Sequence, residues 1–208
     1  MNAAIEQRTE EWFAARLGKV TASKINDVMA RLKNGGEAAT RKNYRVQLAV
    51  ERLTGQKTET FTNGAMQWGI DQEPFAREAY EFIAGTAVEQ VGFVDHAHLP
   101  MAGCSPDGLI GSDGMCEIKC PNTATHVEWM LAGTIPAEHV NQMLFQMDCC
   151  RRQWCDFVSY DPRMPIDLQL FVRRLHRDDA AIEKIRYEVI SILDDVAQLV
   201  AQLEAIRA

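Results

Sequence analysis

Three charged side chains stand close together in CSPDGLIGSDGMCEIKCP, residues 104–121. Asp107 follows Pro106, and Glu117 and Lys119 follow ten and twelve positions on, with Ile118 between them. Charged side chains are rarely buried unless they are paired or hold a metal. On a strand, Glu117 and Lys119 share one face and Ile118 points the other way, into a core. Two carboxylates converging there make a hard-oxygen site, with the Ile118 backbone carbonyl as a third ligand. Such a donor set suits Mg²⁺ or Mn²⁺ and disfavours zinc. A neighbouring lysine can position or deprotonate a water, or steady the charge of a phosphate. Carboxylates, metal and lysine together suit phosphodiester hydrolysis, in which the water must be activated and the leaving oxygen needs positive charge. Such cleavage is slow unaided, and a catalyst must supply about 20 kcal/mol. The bland alternative for the same residues is a surface salt-bridge cluster.

The turn GSDG, 111–114, must bring these groups together as a hairpin. A two-residue turn on Ser112-Asp113 would set Asp107 opposite Ile118, on the wrong face. A one-residue offset, with Gly114 as the bulge of a type I turn, sets Asp107 opposite Lys119 and Leu109 opposite Glu117. A bulge or odd loop is therefore expected.

Elsewhere the pattern predicts a short helix from Thr9 to Arg16, then another in TASKINDVMARL capped by Thr21 or Ser23. Helices follow at about 41–53 and 64–84, and strands at about 87–94, 101–110 and 115–120. NTATHVEWMLAG and PAEHVNQMLFQMDCC read as helices, WCDFVSY and DLQLFVRRL as strands, and a long amphipathic helix runs from Asp178. The expected fold is one α/β domain over residues 1–208, a mixed central sheet flanked by helices. In the helix over 64–84, Trp68, Phe75, Ala79 and Phe82 form the apparent apolar stripe, with Glu73 beside it. Gln142 and Gln146 share a face, Gln146 being expected at the surface.

The 208 residues are 47% hydrophobic and carry a net charge of −7. No run approaches a membrane helix, and the N-terminal MNAAIEQRTEEW lacks an apolar signal core, which points to the cytosol and to reduced thiols. Net charge conceals a local asymmetry: residues 31–57 carry seven Lys/Arg against two acids, and residues 58–95 seven acids against one Arg. A basic segment beside an acidic one fits local contact with phosphates, although a solvated surface would look the same. The six cysteines offer no C-x₂-C pair for an iron–sulfur cluster and read as small buried hydrophobes. His96, His98 and His176 read as surface, and His126 and His139 as helix residues with no required role.

CSPDGL with EIKCP resembles the core of the phage lambda-type exonucleases, the viral recombinase nucleases of the PD-(D/E)xK superfamily. EWFAARLGKVTAS, WGIDQE, NQMLFQM and YDPRM resemble family segments in the same order, over about residues 11–175. The resemblance implies a restriction-endonuclease-like core whose long C-terminal helix it does not cover. It implies that Asp107, Glu117 and the Ile118 carbonyl bind two Mg²⁺ ions, replaceable by Mn²⁺, and that Lys119 activates the water. Glu73 would complete the metal shell through water, and Gln142 would sit at the active site. Arg16 and Ser23 would hold a 5′-terminal phosphate, with Ser105 beside them. The physics agrees, because an arginine fork at a helix start suits an anion. The basic segment, independently of the resemblance, suggests that Lys33, Arg41, Lys42 and Arg45 line the DNA path. The implied function is a 5′→3′ exonuclease on double-stranded DNA that leaves 3′ overhangs for a single-strand annealing protein, acting as a homotrimer in the bacterial host cytosol from a phage or prophage gene. A non-catalytic DNA- or partner-binding module and an endonuclease on the same fold remain the alternatives.

Overall fold

Glycines and prolines cut the chain between residues 85 and 121 into short extended pieces, and these contribute strands to two sheets. The structure, a computed structural model, describes residues 6–58 and 63–207; the first five residues of the polar N-terminal stretch lie outside them. Strands β1 (Val20–Thr21), β2 (Val94–Asp95) and β3 (Ala102–Cys104) pair in the order β1-β3-β2, with β1 parallel to β3. Strands β4 (Gly108–Ile110), β5 (Gly114–Lys119), β6 (Trp154–Tyr160) and β7 (Leu170–His176) form a mixed sheet in that order. Its β5–β6 pairing is parallel and the others antiparallel.

The strand expected over 101–110 is broken at Ser105-Pro106-Asp107, where the chain leaves one sheet for the other. Proline has no N–H to give a ladder, so a strand can end there. The strand expected over 87–94 reduces to β2 and one isolated bridge between Glu89 and Leu109.

Helix α1 (Glu10–Arg16) is capped by the Thr9 hydroxyl, which accepts from the Trp12 amide at 3.3 Å. A 3₁₀ turn, Ala22–Lys24, then leads into α2 (Ile25–Met29). Neither Thr21 nor Ser23 caps these by its side chain, because the two hydroxyls face each other at 3.3 Å. The remaining helices are α3 (Ala39–Thr54), α4 (Gly64–Ala84), α5 (Thr123–Ala132), α6 (Ala137–Cys150) and α7 (Asp179–Arg207). Along α7, Ile182, Ile185, Val189, Ile192 and Val196 are buried at alternating spacings of three and four, the stripe of a helix packed along its first five turns.

Alternation along β5 divides the core. Met115 joins Phe157, Met143 and the α2, α3 and α7 side chains on one face, while Cys116 and Ile118 meet Ala76 and Tyr80 of α4 on the other. The apparent stripe of α4 is therefore not the buried one. Phe75 is 57% and Phe82 88% exposed, whereas Ala76 and Tyr80 face the sheet. Tyr80 can be buried because its hydroxyl donates to Asp156 at 2.7 Å.

The hairpin is offset by one residue, as expected, but in the opposite sense. Gly108 pairs with Cys116, Leu109 with Met115 and Ile110 with Gly114, leaving a three-residue loop, Gly111–Asp113. Gly111 takes φ +54°, a conformation that favours glycine. Gly114 is no bulge. It lies flat under the Trp154 indole, and a Cβ there would stand 2.1 Å from the ring.

Candidate active site

Asp107 stands where the β4–β5 ladder runs out. Carried one step beyond the Gly108–Cys116 pair, the register sets Asp107 opposite Glu117, not opposite Lys119. Asp107 Oδ2 accepts from the Ile118 amide at 2.7 Å. A strand residue's carbonyl points to the same side as its N–H, so the Ile118 carbonyl faces the aspartate as well.

Glu117 shares the face of Met115 and looks toward α6. It is 1% exposed and sits beside Phe157 of β6. Its Oε1 accepts from Gln142 Nε2 at 2.6 Å and from the Lys119 ammonium, and its Oε2 from Gln146 Nε2 at 2.7 Å. Gln146, expected at the surface, is thus buried and bound to the central carboxylate. Its spacing of four from Gln142 was the available signal, since both amides of one helix face must meet whatever that face meets.

Burial pushes the Asp107 carboxyl well above the usual carboxylate range; the nearby Glu117 charge adds to this and Lys119 opposes it. Burial pulls the Lys119 ammonium down, but Glu117 and Asp107 outweigh it and hold lysine above its ordinary value. Lys119 is therefore the protonated counter-ion of Glu117. Two carboxylates sharing a buried edge repel each other, and such a pair is best satisfied by a cation between them. Among the described residues no three His, Cys, Asp or Glu side chains form a cage on their own. Two carboxylates and one carbonyl are instead the sparse oxygen set that a water-completed Mg²⁺ accepts.

Glu73 lies at the edge of this group, three residues before Ala76 on the sheet-facing side of α4. Its Oε2 is 2.5 Å from Arg8 Nη2 and its Oε1 2.8 Å from Arg77 Nη2. Its charge still reaches Asp107 and raises it. The Gln7 amide donates to the Val91 and Pro106 carbonyls, both at 2.9 Å, and so ties this N-terminal segment to the Asp107 loop.

A second cluster of side chains adjoins the first. Arg16 Nη1 donates to Ser105 Oγ at 2.8 Å and Trp12 Nε1 to the same oxygen at 2.9 Å. The Arg16 guanidinium lies 4.2 Å above the Trp12 ring. Trp12 was not singled out from the sequence, although it is four residues before Arg16 and so on its helix face. Parallel pairing of Thr21 with Gly103 brings the exposed Ser23 turn and Ser105 out at the same end of the small sheet.

The basic segment does not form one surface. Arg41 is 1% exposed; it bonds the Val28 carbonyl, Ser191 Oγ at 3.2 Å and Glu188 at 2.9 Å. It locks α3 against α7 and is not on a DNA path. Arg45 is paired with Glu37 at 3.1 Å, while Lys33 and Lys42 are exposed.

His96 differs from the expected surface position, whereas His126 lies in helix α5 as expected. His96 is buried, its Nε2 2.8 Å from Asp148, and its Nδ1 accepts from the His98 and Leu99 amides. That arrangement places the proton on Nε2, toward the carboxylate. His126 is fully buried between Ser159 Oγ, at 2.7 Å, and the Leu168 carbonyl, at 3.0 Å. The cysteines are all free, four of them buried, in keeping with their reading as small hydrophobes.

Residues 11–153 match the family model of the YqaJ-like viral recombinase domain. Among solved structures, an alkaline exonuclease, LHK-Exo, from Laribacter hongkongensis is 48% identical, with a TM-score of 0.89 over 96% of this chain and 98% of its own. LHK-Exo in complex with dAMP aligns with the same figures. A phage related exonuclease from Haemophilus somnus 129PT shares the fold, at 17% identity and a TM-score of 0.71 over 89% of this chain and 96% of that one. A search of curated proteins found no match.

Proposed function

The chain belongs to the YqaJ-like viral recombinase family, and from that premise we propose that it is a single-domain Mg²⁺-dependent 5′→3′ exonuclease on double-stranded DNA. The observation that carries this reading is the spacing of the two side-chain clusters. Ser105, at the anion pocket, and Asp107, at the carboxylate edge, are two residues apart on one rigid switch between sheets. The 48% identical relative is an exonuclease, which supports the same reading.

Asp107, Glu117 and the Ile118 carbonyl would hold the cations, with Glu73 reaching them through water. The chemistry such cations would supply is activation of water and neutralisation of charge on the phosphoryl and leaving oxygens. The protein's own groups do the rest. Gln142 and Gln146 hold Glu117, and Lys119 stands beside it, where its ammonium can orient a water or bear phosphate charge. Arg16 offers a planar fork, fixed over Trp12, to a terminal phosphate. Ser105 Oγ already accepts two hydrogen bonds, so its own proton is free to be donated to that phosphate. A terminal monoester carries more charge than an internal diester, and such a pocket prefers the end.

The remaining features follow the family: digestion of the 5′-ended strand to leave 3′ overhangs for a single-strand annealing protein, a homotrimer, and work in the bacterial host cytosol from a phage or prophage gene. No helix among the described residues is long and apolar enough to cross a membrane. The test is incubation with Mg²⁺ and duplexes labelled at either end, with and without 5′ phosphate, beside a covalently closed circle. Release of label from the 5′ end with the circle intact is expected. Cutting of the circle would make the enzyme an endonuclease, and no cutting at all would leave a binding module.

A further inference from the structure

Gln146 carries a cost that packing does not explain. It is 1% exposed, between Phe145 and Met147, both fully buried. An ionised carboxylate only accepts hydrogen bonds, so the amide nitrogen must be the atom that faces Glu117. The amide oxygen is thereby turned away, and among the described residues it is buried without a donor. A buried acceptor left unsatisfied lowers stability. Methionine has nearly the same length and would fill the space with no such penalty.

What the amide does for Glu117 is visible in its partners. Each carboxylate oxygen offers two acceptor positions. Oε1 has both taken, by Gln142 and Lys119, whereas Oε2 receives Gln146 alone and keeps one open. Gln142 and Gln146 lie one helical turn apart, so together they hold both oxygens and fix the plane of the carboxylate. We propose that Gln146 is a positioning residue of the metal site, holding Glu117 so that the open position on Oε2 is presented to a divalent cation. This rests on the metal-nuclease reading above.

The experiment titrates the full chain with Mn²⁺ by calorimetry, for wild type, Gln146→Met and Asp107→Asn, beside melting temperatures taken without divalent cation. For Gln146→Met the melting temperature is expected to hold or rise. Its Mn²⁺ affinity is expected to fall about 10–100-fold, as for other residues that orient a metal ligand. The Mn²⁺ needed for half-maximal cutting should rise in step, and duplex affinity measured in EDTA should not change. Wild-type Mn²⁺ affinity in Gln146→Met overturns the proposal. If that variant melts early, Gln146→His and Gln146→Leu decide. Histidine keeps an N–H for Glu117 and should bind Mn²⁺ more tightly than leucine; equal affinities overturn the proposal. Asp107→Asn separates the two levels: should it bind Mn²⁺ as tightly as wild type, the metal reading itself is wrong.

Discussion

Asp107 Oδ2 lies 2.7 Å from the Ile118 amide nitrogen, so one carboxylate closes the end of the hairpin ladder and also faces the proposed metal site. These two duties separate by substitution. Asparagine keeps an oxygen for the Ile118 amide and loses the charge; alanine loses both. Asp107→Asn should melt within a few degrees of wild type and cut more than about a thousandfold more slowly, since metal charge stabilisation amounts to several kcal/mol. Asp107→Ala should be equally inactive and less stable by about 1–3 kcal/mol. Paired thermal melts and initial rates check both, and an active Asp107→Asn would move the site elsewhere.

Lys119 neutralises Glu117 and is not expected to ligate. Lys119→Gln should therefore bind Mn²⁺ at least as well as wild type while losing about 10²–10⁴-fold in cutting rate. Weak Mn²⁺ binding by this variant would make Lys119 part of the metal site's architecture.

Arg16 and Ser105 meet at 2.8 Å beside Trp12. Arg16→Ala should erase the advantage of a 5′-phosphorylated duplex over a 5′-hydroxyl one and reduce processivity, while slow cutting persists. Initial rates on the two substrates decide, and a retained preference would place the end-reader elsewhere.

Lys33 and Lys42 are exposed while Arg41 is buried, so the basic segment should divide functionally. Substituting Lys33 and Lys42 together should lower the salt slope of DNA binding by about one for each phosphate no longer neutralised. Arg41→Ala should cost roughly 3 kcal/mol of stability, measured by denaturant titration, because the Val28 carbonyl and Ser191 lose their buried donor and Glu188 keeps Arg31 alone. A slope unchanged in the double lysine variant would leave those side chains as plain solvated surface.

Asp148 accepts from His96, Arg177 and Arg186. Burial pushes its carboxyl up, but those hydrogen bonds outweigh it and hold the group well below the usual carboxylate range. A depressed carboxylate contributes stability that is fully present above its unfolded pKa of about 3.9 and is lost as pH falls toward the folded value. The melting gap between wild type and Asp148→Asn should therefore be constant from pH 7 to about 5 and narrow below about 4. A gap that widens with acid would contradict the assignment.

What the sequence reveals is the local pattern. Residues 64–84 announce α4, and WCDFVSY is β6 end to end. Asp107, Glu117 and Lys119 come together because their spacing suits a hairpin offset by one residue from the two-residue turn, in either sense. What it conceals depends on distant partners. The need for glycine at 114 comes from Trp154, forty positions on, whose ring leaves no room for a side chain there. Arg41 is buried only because α7 brings Glu188 and Ser191 to it. In α4 the large aromatics Phe75 and Phe82 outweigh Ala76 in any count of hydrophobicity, yet a close approach to the sheet needs the small residue. Gln146 shows the same limit, because an amide looks like surface until its acceptor is known.

The switch Ser105-Pro106-Asp107 has a geometric consequence. Two residues of chain span at most about 7 Å, and proline stiffens the middle of that span. On the proposed reading, the hydroxyl that grips a strand's end and the carboxylate that serves the cut are marks on one short ruler. Covalent bonds cap its length, so neither temperature nor loop motion can stretch it beyond that span. Each cycle would then remove the same short increment of strand, and the enzyme's stride would be written in its backbone, independent of how tightly it grips the rest of the duplex.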